Sequence, residues 1–288
     1  MKPTSTTGIS GASQVVFILG HPLSHSLSPD MHNAAFAKLR LPWVYVPLDI
    51  SSSQIKSSLE LLRSSNARGA NVTVPYKEMV LPHLDFVEPE ARWLGSVNTI
   101  YRKNSQLCGT STDGEGFLRS LGSWRKKLKG TRGLLLGAGG AAKAVAGALA
   151  RSGVKGFYIS NRSTQRAVQL VKALREKYPR LDTMGIASRD AQKLLPYCDW
   201  VIQATSLGLK GEASPLSLKR LKRGSWVIDL IYHRETDFLK QARHYGLPRL
   251  NGMGMLLHQG ALSFECWTGK RAPLDVMRKA LLDRIIPR

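Results

Sequence analysis

Apolar residues along this chain fall into two alternating rhythms: short continuous runs, and longer stretches with one apolar face at helical spacing. The runs 15–20 (VVFILG), 43–50, 70–74, 134–136, 156–160, 183–187, 200–204 and 226–230 are short and mostly flanked by Gly, Pro, Ser, Asn or Asp. Each predicts a strand. Between them, 28–39 carries Met31, Ala35, Phe36 and Leu39 on one face, and 54–65 carries Ile55, Leu59 and Leu62. Helices are expected again at 141–152, 165–178 and 189–196. Ser28 is the expected N-cap of the first helix, with Pro29 at its first helical position. Short helical pieces near 76–83 and 89–94 lead to an expected hairpin, 97–102 with 106–109. A helix at 115–125 begins the second half, and the loop 205–223 separates its last two strands. Helices at 255–267 and 274–285 have no strand left to pair with and are expected to return over the first half. Strands alternating with helices imply parallel βα units, so the fold class is α/β.

The chain is organised around 133–150, GLLLGAGGAAKAVAGALA. It reads as a strand, a tight turn and a helix N-terminus, where backbone N–H groups and the helix dipole meet a pyrophosphate. Gly137 serves the turn, Gly139 the close approach, and Ala142 takes the third small position of G-x-G-x-x-G/A. Gly140, Ala138 and Ala141 complete the turn, and Lys143 adds a cation. The next strand ends in Asn161, Arg162, Ser163 and, further on, Arg166. No Asp or Glu lies between Gly137 and Arg175. An NAD site wants a carboxylate about 20 residues past the glycines, whereas arginine there suits a 2′-phosphate. The expected cofactor is therefore NADP, held on a Rossmann-type doubly wound domain.

The 288 residues permit two domains. Charge adds a further point: 42 Lys+Arg against 20 Asp+Glu gives +22. Such an excess favours anionic partners. The basic residues are scattered, with one local cluster at Arg125, Lys126, Lys127 and Lys129. That cluster lacks interleaved aromatics, so it reads as a solvated face and no nucleic-acid partner is expected. Cys108, Cys198 and Cys266 are sparse and lack metal-ligand spacing, which fits a reducing cytoplasm and no metal. Residues 1–13 are polar and read as a flexible tail rather than a secretory signal. The 133–150 run nearly has membrane-span length, but its glycines and Lys143 exclude that reading.

Three polar clusters fall at the carboxyl ends of expected strands, where open α/β sheets place ligands. They are 24–28, 71–77, and 96–99 with Asp113. Hydroxyls, amides, one Lys and one Asp suit a small polyhydroxylated carboxylate, because unmet buried partners discriminate strongly. Together S-x-S-P, N-V-T-V-P-x-K, V-N-T, S-T-D-G, G-A-G-G-A, N-R-S-x-x-R and G-M-G-M-L-x-x-Q resemble the shikimate dehydrogenase family over nearly the whole chain from Val15. The resemblance implies an N-terminal substrate-binding α/β domain at 14–112, completed by helices within 252–288, and an NADP-binding domain at 113–251. It implies NADPH-dependent, reversible reduction of 3-dehydroshikimate to shikimate in aromatic amino acid biosynthesis, by a monomer or homodimer.

By the same resemblance, Ser26 and Ser28 hold the substrate carboxylate, and Asn71 and Thr73 frame the substrate. Lys77 is the catalytic lysine and Asp113 its partner. Asn98 and Gln259 bind substrate hydroxyls, and Tyr232 lines the pocket. The residues from Gly137 to Ala142, with Asn161, Arg162, Ser163 and Arg166, bind NADP, while Thr205, Leu230 and Gly252 lie near the nicotinamide end. Gln203 stands where members often have Asn, and Leu230 where many have Met. Reducing a ketone by hydride creates an alkoxide that needs a proton, so an acid–base group is required. Lys77 is the expected donor. A relative acting on quinate or with NAD is the nearest rival, and a non-catalytic nucleic-acid binder the rival suggested by charge alone.

Overall fold

The computed structural model describes residues 9–64 and 66–285. They form two compact units: one holds the described residues up to Thr112 together with those from Leu257 onward, the other Asp113–Leu256. The division in the C-terminal part falls at Leu257, inside a helix, and not at 252.

In the first unit the order is β1 (Gln14–Gly20), α1 (Ser28–Lys38), β2 (Trp43–Asp49), α2 (Ile55–Leu61), β3 (Ala67–Val72), β4 (Phe86–Val87), α3 (Pro89–Leu94), β5 (Thr99–Lys103) and β6 (Gln106–Thr110). The sheet runs β2-β1-β3-β5-β6-β4. β1 pairs in parallel with β2 and β3, and β5 is antiparallel to β3 and β6. The buried faces of β1 and β3 carry Leu19, Ala70 and Val72 against Ile55, Leu59 and Leu62 of the α2 region. That burial is the main stabilising term available to the unit. The C-terminal residues return to it: α10 (Leu274–Ile285) packs on α1, and Trp267 Nε1 donates to Ile100 O at 2.9 Å. Gly69 leaves room for that indole, since a Cβ there would lie 2.2 Å from Ile100 O and 2.7 Å from Trp267 Nε1.

Several local expectations are corrected here. The carbonyl of Leu27, not Ser28, accepts the first helical bond, from Met31 N at 3.2 Å, so Ser28 lies inside the first turn of α1. Residues 76–80 form successive turns, with Tyr76 N and Val80 N bonded to Thr73 O and Tyr76 O, and only Leu81–His83 makes a short 3-10 helix. Of the expected flexible tail, 1–8 lies outside the described residues. The rest folds as a turn in which Ser10 N bonds Ser13 Oγ and Ser13 N bonds Ser10 O, both at 2.9 Å.

The second unit contains α4 (Asp113–Ser120), β7 (Arg132–Leu136), α5 (Gly140–Arg151), β8 (Gly156–Asn161), α6 (Thr164–Lys177), β9 (Asp182–Ala187), α7 (Ser188–Leu194), β10 (Trp200–Gln203), β11 (Trp226–Asp229), α8 (Asp237–His244) and β12 (Arg249–Leu250). Its sheet, β12-β11-β10-β7-β8-β9, is parallel throughout. This is the doubly wound order, and its switch point lies between β7 and β10. Strand burial is nearly continuous along β7, β10 and β11, as a sheet covered on both faces requires. The expected helix at 115–125 stops at Ser120. Gly122 takes φ +53°, and Gly122–Lys127 continues as a 3-10 helix. Neither α8 nor β12 is expected from the sequence, because eight and two residues carry little periodicity. α9 (Met253–Thr268) closes the element order between β12 and α10.

Candidate active site

In the first unit, the carboxyl ends of β1 and β3 are drawn together at Gly20. A Cβ at that position would stand 2.4 Å from Thr73 Cγ2 and 2.7 Å from Leu23 Cδ2, so a larger residue would displace those side chains. Thr73 N bonds Leu19 O at 2.9 Å and His21 N bonds Val74 O at 3.1 Å, which stacks the 21–28 loop on the 73–77 loop. Asp49 secures the first loop by accepting from Leu23 N at 2.9 Å and meeting His21 Nδ1 at 2.6 Å. These bonds, that to His21 foremost, hold the Asp49 carboxyl below its usual range. Ser26 is half-buried and its Oγ accepts from Ser28 N at 3.4 Å, while Ser28 is buried. The half-buried Lys77 is clipped by its carbonyl, which accepts from Val97 N at 2.9 Å, one residue before Asn98.

Asn98 is the centre of a buried polar net. Its Oδ1 accepts from Thr112 N at 2.8 Å and Thr99 Oγ1 at 3.0 Å, and its Nδ2 donates to Thr112 Oγ1 at 2.8 Å and Gln259 Oε1 at 3.1 Å. Thus Lys77, Asn98 and Gln259, remote in sequence, share one neighbourhood. Asn71 behaves differently. Its Oδ1 accepts from Tyr45 Oη at 2.7 Å and its Nδ2 donates to Asn98 O at 3.0 Å and Ser263 Oγ at 3.1 Å. With carbonyl and amide both engaged by protein, Asn71 holds the walls of the site in place. Ser263 and Thr99, whose hydroxyls meet at 2.7 Å, and Tyr45 escaped sequence reasoning. No local pattern marks a buried hydroxyl whose partners lie on other elements.

In the second unit, Asp113 is buried in the first turn of α4. The β7–α5 turn places Gly137 at φ +118°, its pro-Cβ position 2.9 Å from Ala204 O, so a side chain is excluded twice over. Gly139 caps α5 with nothing within 4 Å of where a Cβ would stand. That open position, followed by Gly140, Ala141 and the buried Ala142, leaves the first N–H groups of α5 without intrahelical acceptors and available to an anion. These residues fit a pyrophosphate. At the end of β8, Asn161 Nδ2 donates to Ser163 O at 3.0 Å, and Arg162, Ser163 and Arg166 are exposed around the start of α6.

Past β10, the buried Gln203 shapes the next loop. Its Oε1 accepts from Thr205 Oγ1 at 3.0 Å and Thr205 N at 3.2 Å, and its Nε2 donates to Leu207 O at 3.1 Å. Leu230 N bonds Gln203 O, and Gly252 packs so closely that a Cβ would sit 1.9 Å from Leu230 O. Tyr232 is half-buried on the loop that follows. Asp229, missed from sequence, fastens that loop: it accepts from Thr236 Oγ1 at 2.6 Å and Ile231 N at 3.0 Å. Burial pushes its carboxyl up to about 6. Among the described residues no cluster of three His, Cys, Asp or Glu is placed to hold a metal.

Comparison with known proteins agrees across the chain. Residues 18–100 match the shikimate dehydrogenase substrate binding domain, 121–220 the shikimate / quinate 5-dehydrogenase model, and 252–282 the shikimate 5'-dehydrogenase C-terminal domain. The shikimate dehydrogenase (NADP(+)) of Desulforamulus reducens is 43% identical over 279 residues, covering 95% of this chain and 96% of that protein. The crystal structure of shikimate 5-dehydrogenase from Thermus thermophilus in complex with NADP(H) and shikimate superposes with a TM-score of 0.83 at 36% identity, over 94% of this chain and 99% of that one. Quinate dehydrogenase from Corynebacterium glutamicum in complex with NAD gives a TM-score of 0.86 at 30% identity, over 94% of this chain and 99% of that one.

Proposed function

This chain belongs to the shikimate dehydrogenase family, and on that premise we propose that it reduces 3-dehydroshikimate reversibly to shikimate with NADPH. The observation that carries the reading is the clip from Val97 N to Lys77 O, which brings the Lys77 backbone next to the residue preceding Asn98, whose amide meets Gln259. NADPH, when bound, supplies the hydride. Gly137, Ala138, Gly139, Gly140, Ala141 and Ala142 would hold its pyrophosphate, and Asn161, Arg162, Ser163 and Arg166 its 2′-phosphate. Thr205, Leu230 and Gly252 would border the nicotinamide.

The substrate carbonyl becomes an alkoxide as it is reduced, and Lys77 donates the proton that neutralises it. Asp113 accepts a hydrogen bond from a substrate hydroxyl and supplies the carboxylate of the acid–base pair. The amides of Asn98 and Gln259 read further hydroxyls, Ser26 and Ser28 donate to the carboxylate, Thr73 frames the ring and Tyr232 lines the pocket. Asn71 helps frame the substrate by fixing Asn98 and Ser263. The widely spaced thiols, with Cys108 and Cys198 buried, support a reducing, cytoplasmic setting.

The rival reading, a quinate- or NAD-using relative, is weakened by Arg162 and Arg166 standing where an NAD site has an acid. Oxidation of shikimate and of quinate, each with NADP and NAD, separates the two by the absorbance of reduced nicotinamide. Turnover confined to shikimate with NADP supports the proposal; comparable rates with quinate or NAD replace it with the broader enzyme. Lys77→Ala is expected to lower kcat by about a hundredfold or more, and a fall below about tenfold removes Lys77 from the chemistry.

A further inference from the structure

One dinucleotide and one carboxylate use few of the cations behind a net charge of +22. Within the second unit the charge is less dispersed than the sequence implies. Trp124, on the 3-10 helix Gly122–Lys127, packs against Trp226 at the start of β11 with ring centroids 5.4 Å apart. That contact brings the segment 121–131 to the segment 217–226. Arg125, Lys126, Lys127 and Lys129 come from the first, and Lys219, Arg220, Lys222 and Arg223 from the second. All of them are exposed, and neither segment contains an Asp or Glu. Acids from elsewhere reach two of them: Glu115 meets Arg125 at 3.4 Å and Asp199 meets Lys222 at 2.5 Å.

Both segments lead into the amino ends of parallel strands, β7 and β11, whereas the glycine turn lies at the carboxyl end of β7. Aromatic side chains join the cations on this edge. The 3-10 helix Leu195–Tyr197, just before β10, packs on the 3-10 helix Leu218–Arg220 and leaves Tyr197 66% exposed. Beside them a cleft of about 610 Å³ opens between the 213–217 loop and α8, with Lys240, His244 and Tyr245 on its wall. Tyr245 is 39% exposed, just before β12 on the same edge. Asp237 also lines the cleft, but its Oδ2 is taken up by Ser214 N and Gln241 Nε2, each at 2.9 Å.

Lysines and arginines that follow a backbone, together with planar rings that stack on bases, are what sequence-tolerant binding of a single strand requires. We propose that this amino edge of the sheet binds single-stranded nucleic acid, with the two basic segments on the phosphates and Tyr197 and Tyr245 under the bases. Neither segment offers a regular α-helix to enter a duplex groove.

The test is fluorescence anisotropy of a labelled oligothymidylate of about 20 nucleotides, titrated with the full chain at several salt concentrations. The expected result is a micromolar Kd near ~150 mM salt, with log K falling against log[salt] at a slope of about −0.7 per phosphate contacted. Reversing Lys126, Lys127, Lys219 and Arg220 to Glu should weaken binding at least about thirtyfold and flatten the slope, with shikimate oxidation unchanged. Tyr197→Ala combined with Tyr245→Ala should weaken binding about tenfold with the slope preserved. Absence of binding, or binding indifferent to both sets of substitutions, overturns the proposal. A polyglutamate peptide that binds as tightly as the oligonucleotide overturns it in favour of an acidic protein partner.

Discussion

The side-chain amide of Asn98 donates to Gln259 Oε1 across 3.1 Å, joining the start of β5 to α9, which lies more than half the chain away. Asn98 is itself fixed by Thr112 and Thr99, so Gln259 is held by a residue that cannot turn aside. On the proposed function, replacing Gln259 by Ala removes one reader of a substrate hydroxyl and leaves the proton donor, Lys77, in place. The expected outcome is a rise of about tenfold or more in KM for shikimate, with kcat reduced less. Steady-state kinetics decides: a loss confined to kcat would place Gln259 in the chemical step instead.

Arg162 and Arg166 flank the start of α6 with no acid at the end of β8. Each charge-assisted bond to a 2′-phosphate is worth about 1.5–3 kcal/mol, a factor of roughly 10–100 in affinity. Arg162→Ala or Arg166→Ala, each alone, should therefore raise KM for NADP by about that factor and leave KM for NAD nearly constant. Parallel titrations with both dinucleotides give the answer, and an equal rise for both would show that the arginines act elsewhere.

His32 is wholly buried between Tyr45, 4.5 Å away between ring centroids, and Trp267 at 5.3 Å, and neither ring nitrogen has a hydrogen-bond partner. Burial pushes its imidazole down to about 3 from 6.5. The folded state thus refuses a proton that the unfolded chain accepts. The stability tied to this group is complete above pH 6.5 and is lost as pH falls toward 3, at up to about 1.4 kcal/mol per pH unit. His32→Phe keeps a ring in the cluster and removes both the unpartnered nitrogens and the titration. Thermal melts from neutral to acid pH should show a flatter curve for the variant; parallel curves would rule this out.

Asp229 works in the opposite sense. Its carboxyl is raised from 3.8 to about 6 by burial, so the folded state binds the proton more readily than the unfolded chain. The stability tied to this group is complete below pH 3.8 and is lost as pH rises through about 6, by about 3 kcal/mol at most. Asp229→Asn should melt higher than the parent at neutral pH, with the gap closing as pH falls below 4. A gap independent of pH would mean that the substitution changes packing and not charge. Between pH 4 and 6 the two groups oppose each other. His32 spans the wider interval, so the parent protein still loses stability on acidification.

Much of the candidate site was legible because it rests on short-range patterns. The turn at Gly137, the arginines after β8 and the loop from Asn71 to Lys77 each occupy a few consecutive residues whose types follow from backbone geometry or from the chemistry of an anion. The helix boundary at Ser28 went the other way, since the capping group there is the carbonyl of Leu27, which any residue could supply. Asn71 stood out as a candidate, but its buried partners did not. Its partner Ser263 lies 192 residues away, and periodicity carries no information across that distance.

The sequence by itself determined the alternation of strands and helices, the glycine turn, the preference for a 2′-phosphate and the family. Spacing of apolar residues, the need for a missing Cβ and the sign of a charge are local properties. Tertiary structure alone decided that His32 has no partner, that Asp229 is buried enough to resist ionisation, and that Trp124 meets Trp226 to join two basic segments. Each depends on which distant surfaces exclude water from a group or bring like charges together, and that is settled only when the sheet is assembled.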